Sequence, residues 1–160
     1  MPAIRPVRAA VAWVSRTRLF RRYGPRMMPP LERIAARLTG GRRGPVSGVV
    51  VPSLTLHTIG ARSGLPRETH LMCCPLDDGA IYVTGSNFAR PEHPAWTWNL
   101  IAHPDAEIDF RGERRPVRAE LVTDEEREEV WRVLEENWPG YRGYERASGR
   151  VLRVFRLVPR

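Results

Sequence analysis

The sequence predicts an α+β fold, mainly β, in which about six mostly antiparallel strands form a small closed or partly closed barrel with helices packed around it. Three observations carry this. Short stretches between Val49 and Pro159 are rich in β-branched and aromatic residues, several with period-two alternation. Most are joined by short turn signals, which suit antiparallel neighbours. Helical patterns follow only the third and fifth stretches, so the regular βαβ alternation of a doubly wound sheet is missing.

Residues 1–45 read as a basic helical extension and residues 46–160 as the barrel domain. In the extension, residues 7–23 place Val7, Ala10, Val11 and Val14 on a stripe interrupted near Arg18. Residues 30–38 keep helical spacing through Leu31, Ile34, Ala35 and Leu38, with Pro30 in the first turn and Gly40-Gly41 as the stop. The first strand, Val49–Ile59, alternates Leu54, Leu56 and Thr58 against Thr55 and His57, and Pro52 marks an edge or a strand start. Arg67–Leu76 is the second strand, closed by an Asp77-Asp78-Gly79 turn, and Ala80–Ser86 is the third. His93-Pro94 opens a helix to about Ala102. "AEIDFRG" and "RRPVRAELV" form a hairpin about Gly112-Glu113. Thr123 to Glu126 is a capping box, starting a helix to about Asn137 with Val130, Trp131, Val133 and Leu134 inward. "WPGYRGYERASGR" is a short helix or a loop, and "VLRVFRLVP" is the last strand.

Charge separates the two parts. The chain carries a formal +8, yet residues 1–45 hold eleven Arg against the single acid Glu32, while the remainder is slightly acidic. All 26 basic residues are Arg, so any anion site here uses guanidinium, which binds phosphate in bidentate fashion. The extension suits an anionic membrane face, or a helix docked on the barrel with its arginines outward. A nucleic-acid partner is not expected, because the body lacks both basic charge and a reader motif. No apolar run has transmembrane length and no secretory signal is visible, which reads as cytoplasmic, with a peripheral membrane contact open. Cys73 and Cys74 are neighbours in a strand, point to opposite faces and suit core packing rather than a disulfide or zinc.

Phosphate-loop, dinucleotide, C-x-x-C, H-E-x-x-H and nucleophile-elbow motifs are all missing, and the four His are scattered, so no metal site is expected. Chemistry without such groups points to a cofactor. Three clusters remain. Gly60 to Arg67 combines two glycines with Ser63, Arg62 and Arg67, as an anion cradle or a solvated hairpin loop. Thr84 to Leu100 ends a strand in Gly85-Ser86-Asn87 and then starts a helix. On that helix Trp96, Asn99, Leu100 and His103 share one face, and Trp98 and Ile101 lie on another. Trp96 is either core or a planar ligand wall, with Asn99 giving an orienting hydrogen bond. Tyr141 and Tyr144, three apart, would share a face of a helical turn, as pocket donors or packing residues.

Together "TIGARSGLPR", "GSN", "HPAWTWNL" and "WPGYRGY" resemble, in order and spacing, the motifs of the deazaflavin-dependent nitroreductase family of actinobacteria. The resemblance covers about residues 46–160 and implies a split β-barrel, FMN-binding-barrel-like, that uses the 8-hydroxy-5-deazaflavin coenzyme F-420. It implies that Arg62, Ser63 and Arg67 hold the cofactor's phosphate and acidic tail. Glu68, Thr69, His70, Leu71 and Met72 would border the ring, and Thr84, Gly85, Ser86 and Asn87 would contact it. Ala95, Trp96, Thr97, Trp98 and Asn99 would close the site. Tyr141 and Tyr144 would line the substrate side as catalytic donors, with Tyr141 also at the cofactor and Trp138 where a third tyrosine often stands. Ala61 departs from the family, which usually has Arg there, and His70 stands where Pro is usual. The implied activity is hydride transfer from reduced deazaflavin to a quinone, enone or nitro compound. FMN is the alternative cofactor, and a non-catalytic flavin or deazaflavin carrier the alternative role. Monomer and homodimer both stay open.

Overall fold

The computed structural model describes residues 52–138 and 141–160. The helices expected at 7–23 and 30–38, and the basic extension as a unit, lie outside the described residues. Among the described residues there are six strands: β1 Ser53–Ile59, β2 Pro66–Pro75, β3 Ile81–Thr84, β4 Asp105–Phe110, β5 Glu113–Leu121 and β6 Val154–Pro159. Helix α1, Ala95–Ala102, joins β3 to β4, while α2, Arg127–Asn137, and α3, Tyr141–Ser148, lie between β5 and β6.

The strands close in the order β1-β2-β3-β6-β5-β4, and β4 returns to β1 with Ile108 opposite Leu56. Every pairing is antiparallel. Among the described residues closure leaves no open sheet edge, which satisfies the ladder groups that an edge strand would expose.

Alternation sets the inside of the barrel. Leu54 and Leu56 of β1, Ile81 and Val83 of β3, Ile108 and Phe110 of β4, Val117 and Ala119 of β5, and Phe155 and Leu157 of β6 pack into one apolar cluster. Helix α1 inserts Trp96 and Leu100 into the same cluster, with the Trp96 ring 5.7 Å from that of Phe155. A second cluster forms outside the wall. There Val130, Trp131 and Leu134 of α2 and Tyr141 and Tyr144 of α3 meet Cys74, Ala89, Leu152 and Val154. The adjacent cysteines divide as alternation requires: Cys73 faces the barrel interior and Cys74 the outer cluster, both as free thiols.

Several boundaries differ from the sequence reading. The third strand stops at Thr84, because Gly85 N–H turns to the Arg153 carbonyl and the chain enters a left-handed turn. Thr123 N–H and Oγ1 both reach the Glu126 carboxylate, at 3.1 and 2.9 Å. The helix nevertheless begins at Arg127, so the box forms a separate turn in front of α2. The segment read as helix or loop is the helix α3.

Candidate functional site

The β1–β2 loop is built by its glycines. Gly60 N–H donates to Leu65 O and Gly64 N–H to Gly60 O, both at 2.8 Å. A Cβ on Gly60 would stand 2.4 Å from Ser63 Oγ, and Gly64 has φ +65°, so each position favours glycine. Ser63 Oγ accepts from Arg67 Nη2 and from Leu65 N–H, both at 3.3 Å, which aims Arg67 back over the loop. The Ala61 N–H is also taken, donating to Asn99 Oδ1 at 2.9 Å. Among the described residues, that leaves only the Arg62 and Ser63 N–H groups of this loop without an internal partner. Those two adjacent N–H groups are the backbone donors the loop offers beside its side chains. It also offers guanidinium: Arg62 and Arg67 are exposed and neither is ion-paired among the described residues.

Asn99 ties this loop to α1. Its Nδ2 donates to Thr58 Oγ1 at 3.0 Å while its Oδ1 receives Ala61 N–H, and both Asn99 and Thr58 are buried. The carboxamide expected to orient a ligand is thus committed to the protein at both ends.

A cleft of about 750 Å³ opens between the loop, the start of β2 and α1. That size suits a cofactor-sized ligand. Ala61, Arg62, Ser63, Arg67, Glu68, Thr69, Ala95, Trp96, Trp98 and Asn99 line it, as anticipated candidates. His70, Leu71, Met72, Thr84, Gly85, Ser86, Asn87, Thr97 and Tyr141 do not. Leu71 packs on the barrel interior and Met72 on the outer cluster, as alternation along β2 dictates. Thr97 is fully buried, and its hydroxyl donates to Pro94 O at 2.8 Å.

The two tryptophans divide the helix. Trp96 sends its ring to the core and only borders the cleft. Trp98, half exposed, stands on the cleft with the Arg153 guanidinium 3.8 Å over its ring and His93 edge-on at 6.3 Å. Of the pair, Trp98 is the better aromatic wall.

Beside His93 the backbone is strained. Asn87, Phe88 and Ala89 have φ of 47°, 53° and 57°, three consecutive left-handed residues without a glycine. Each such residue costs on the order of 1 kcal/mol, so the surroundings must hold the turn. Arg150 does so. Its Nη2 donates to Gly85 O and Ser86 O at 2.9 and 3.0 Å, and its Nε to Arg90 O at 3.0 Å. Burial together with the nearby Arg153 and Arg150 lowers the His93 pKa.

Tyr141 and Tyr144 are buried, with rings 6.3 Å apart, and Tyr141 also meets Trp131 at 6.3 Å. They belong to the outer cluster rather than to the cleft lining, because α3 turns them toward α2 and the barrel wall. Burial holds the Tyr141 phenol well above its usual pKa, with the Thr84 hydroxyl beside its own. Thr84 Oγ1 and Trp138 Nε1 are buried polar atoms with no hydrogen-bond partner among the described residues.

Gly60 of the loop cluster and Ile101 of the Trp98 face also line the cleft, as do His93 and Ala102, which the sequence reading did not single out for binding. Ile101 and Ala102 fall three and four residues after Trp98, a spacing that identifies them once Trp98 is placed on the cleft. Arg150 and Arg153 reach the site from more than fifty residues away, and no local pattern marks them.

Comparison with known proteins assigns the family and the fold. The F-420H(2)-dependent quinone reductase family pattern matches residues 32–159, beginning ahead of the domain boundary expected at 46. An F-420H(2)-dependent quinone reductase of Mycobacterium tuberculosis is 35% identical over 127 residues, covering 78% of this chain and 85% of that protein. The solved structure of an F-420-H2 dependent reductase superposes with a TM-score of 0.60 at 30% identity, covering 66% of this chain and 93% of the other. A second, described as a domain-swapped dimer, gives a TM-score of 0.60 at 29% identity, over 78% and 94% of the two chains. A barrel with this loop and this helix, matched over most of its length, is a member of a defined group: the chain belongs to the F-420H(2)-dependent quinone reductase family.

Proposed function

We propose that this protein binds reduced coenzyme F-420 in the cleft between the β1–β2 loop and α1 and reduces a quinone. The observation that carries this reading is the loop itself. Arg62 and Arg67 stand without carboxylate partners among the described residues, on a loop that Asn99 latches to the helix across the cleft. Such an arrangement is pre-organised for an anionic group, since the loop need not order itself on binding. Arg62, Ser63 and Arg67 take the phosphate. Glu68, Thr69, Ala95 and Trp98 border the ring system, with Trp96 and Asn99 fixing the helix that carries them. His70, Leu71, Met72 and Thr97 act through packing. When bound, the coenzyme supplies a hydride and its electron pair. The buried Thr84 hydroxyl, followed by Gly85, Ser86 and Asn87, forms the polar end of β3 on the substrate side. Tyr141 and Tyr144 lie behind it. Their burial keeps the Tyr141 phenol protonated, so it is a hydrogen-bond donor and does not serve as a base. In this reading residues 46–160 are the catalytic unit and residues 1–45 an appended basic segment.

The test is fluorescence titration of the deazaflavin and, in parallel, FMN, followed by oxidation of the reduced deazaflavin with menadione. Saturable deazaflavin binding with menadione-dependent oxidation is expected. Binding without oxidation makes the protein a carrier, and binding of FMN alone reassigns the cofactor. Phe at both Tyr141 and Tyr144 is expected to slow single-turnover oxidation; unchanged rates remove the tyrosines from the mechanism.

A further inference from the structure

His93 lines the cleft beside the strained turn. Its Nδ1 stands 3.1 Å from Arg150 Nη1. A guanidinium only donates hydrogen bonds, so Nδ1 is the acceptor and the neutral ring carries its proton on Nε2. Arg150 cannot easily turn to suit another tautomer, because three carbonyls, those of Gly85, Ser86 and Arg90, already fix its plane. The clasp that holds the left-handed turn therefore also sets which imidazole nitrogen is a donor.

The charges around the ring favour the same state. Arg150 approaches from the loop after α3 and Arg153 from the segment before β6, while Trp98 of α1 presents an edge contact. Burial and both arginines disfavour the imidazolium. Glu92, next to His93 in the chain, and Glu145 act on Arg150 rather than on the ring.

We propose that His93 is a ligand-binding residue of the cleft, offering its Nε2–H to an anionic oxygen of the bound molecule, and that Arg150 is its positioning residue. The chemistry is that of an oxyanion held by a neutral donor next to guanidinium groups, from a phosphate or from an ionised ring oxygen. The ligand role rests on the proposed function; the tautomer does not.

The closing experiment has two readouts. Nitrogen-detected NMR of the four histidines, assigned with His93→Gln, reports tautomer and titration without any ligand. The expected result is a wild-type His93 ring neutral at pH 7, protonated on Nε2 and titrating below an ordinary histidine. Arg150→Met should raise its midpoint and mix its tautomers. A wild-type ring protonated on Nδ1 overturns the proposal outright, even if Arg150→Met does not fold. In the second readout, His93→Asn, which keeps a polar group at the Nδ1 position only, should weaken deazaflavin binding about tenfold. His93→Gln, which keeps a donor near Nε2, should stay close to wild type. Loss toward the full coenzyme alone assigns the oxyanion to the phosphate. Equal loss toward a deazaflavin lacking phosphate assigns it to the ring. Wild-type affinity in His93→Asn refutes the ligand role. An Nε2-protonated ring in a protein that binds no deazaflavin refutes the proposed function and the ligand role with it, but upholds Arg150 as positioning residue.

Discussion

Replacing Asn99 by Ala should loosen the site and the fold together. The carboxamide makes two hydrogen bonds, to Ala61 N–H at 2.9 Å and Thr58 Oγ1 at 3.0 Å. Each is worth about 1 kcal/mol net. The consequences differ at the two ends. Ala61 is exposed, so water replaces the lost acceptor. Thr58 is only 4% exposed, so its orphaned hydroxyl adds a further cost of about 1 kcal/mol or more. The total is about 2–4 kcal/mol, or a fall in Tm of roughly 5–15 °C for a chain of this size. Thermal melts measure that sum, and hydrogen exchange at Ala61 N–H measures the loop end separately. Thr58→Val supplies the other corner of a double-mutant cycle, in which coupling to Asn99→Ala should be about 1 kcal/mol. Asn99→Asp keeps an acceptor for Ala61 and lets the Thr58 hydroxyl donate, so it should cost less stability. It nevertheless places a negative charge beside the arginine loop, and deazaflavin affinity should fall further than stability. An Ala61 amide equally protected in wild type and Asn99→Ala, with an unshifted melt, would refute the latch.

Other consequences are independent of Asn99. Arg62→Gln and Arg67→Gln should each weaken deazaflavin binding about tenfold and flatten its salt dependence, as read by titration at several ionic strengths. Gly64→Ala, at φ +65°, should cost about 1 kcal/mol in urea unfolding, whereas a neutral effect would mean the loop has another conformation in solution. The Arg114 hydrogen bond first, and His57 with it, hold Asp109 well below the usual carboxylate pKa. A carboxylate depressed in the folded state stabilises above its ordinary value and loses that contribution as pH falls, so Arg114→Gln should flatten the acid limb of stability between about pH 5 and pH 2. Burial pushes the Cys73 thiol up to about 12 and Cys74 to about 11, so neither should react with a disulfide reagent at neutral pH until the protein is unfolded.

Much of this was legible in the chain because it depends on local order. The alternation of Leu54, Leu56 and Thr58 placed the inside of β1, and the burial pattern follows it residue by residue. Helical spacing read a 96, 99, 100, 103 face on α1; the first three residues are buried, whereas the helix ends at Ala102 and His103 lies beyond it, exposed. What periodicity does not contain is the identity of the neighbour across each face. It assigned Trp96 the choice between core and ligand wall, and the Phe155 ring, supplied by the last strand, decides for core. The same holds for Asn99, whose partners lie on β1 and its loop, about forty residues upstream. The left-handed run at 87–89 had no signature at all, since no glycine occupies it. Its stability comes from Arg150, a residue whose importance appears only when the chain has folded back.

Helix α1 makes the site and the core one problem. Within eight residues it presents Trp96 and Leu100 to the barrel interior, Asn99 to the β1–β2 loop, and Trp98 to the cleft and to Arg153. A helix this short has little intrinsic stability, so its position is set by what it buries. Trp96 and Leu100 bury enough apolar surface to contribute a few kcal/mol, on the order of 2 kcal/mol each. That anchorage keeps Asn99 within hydrogen-bond distance of two separate elements. It follows that Leu100→Ala, although it touches no ligand, should loosen the Ala61 contact and weaken deazaflavin binding along with stability. Arg62→Gln should weaken binding and leave the melt unchanged. The two substitutions separate the helix as a mechanical part from the arginines as a chemical one. If Leu100→Ala lowered Tm while binding stayed at the wild-type value below the melt, the cleft would be held by the loop alone.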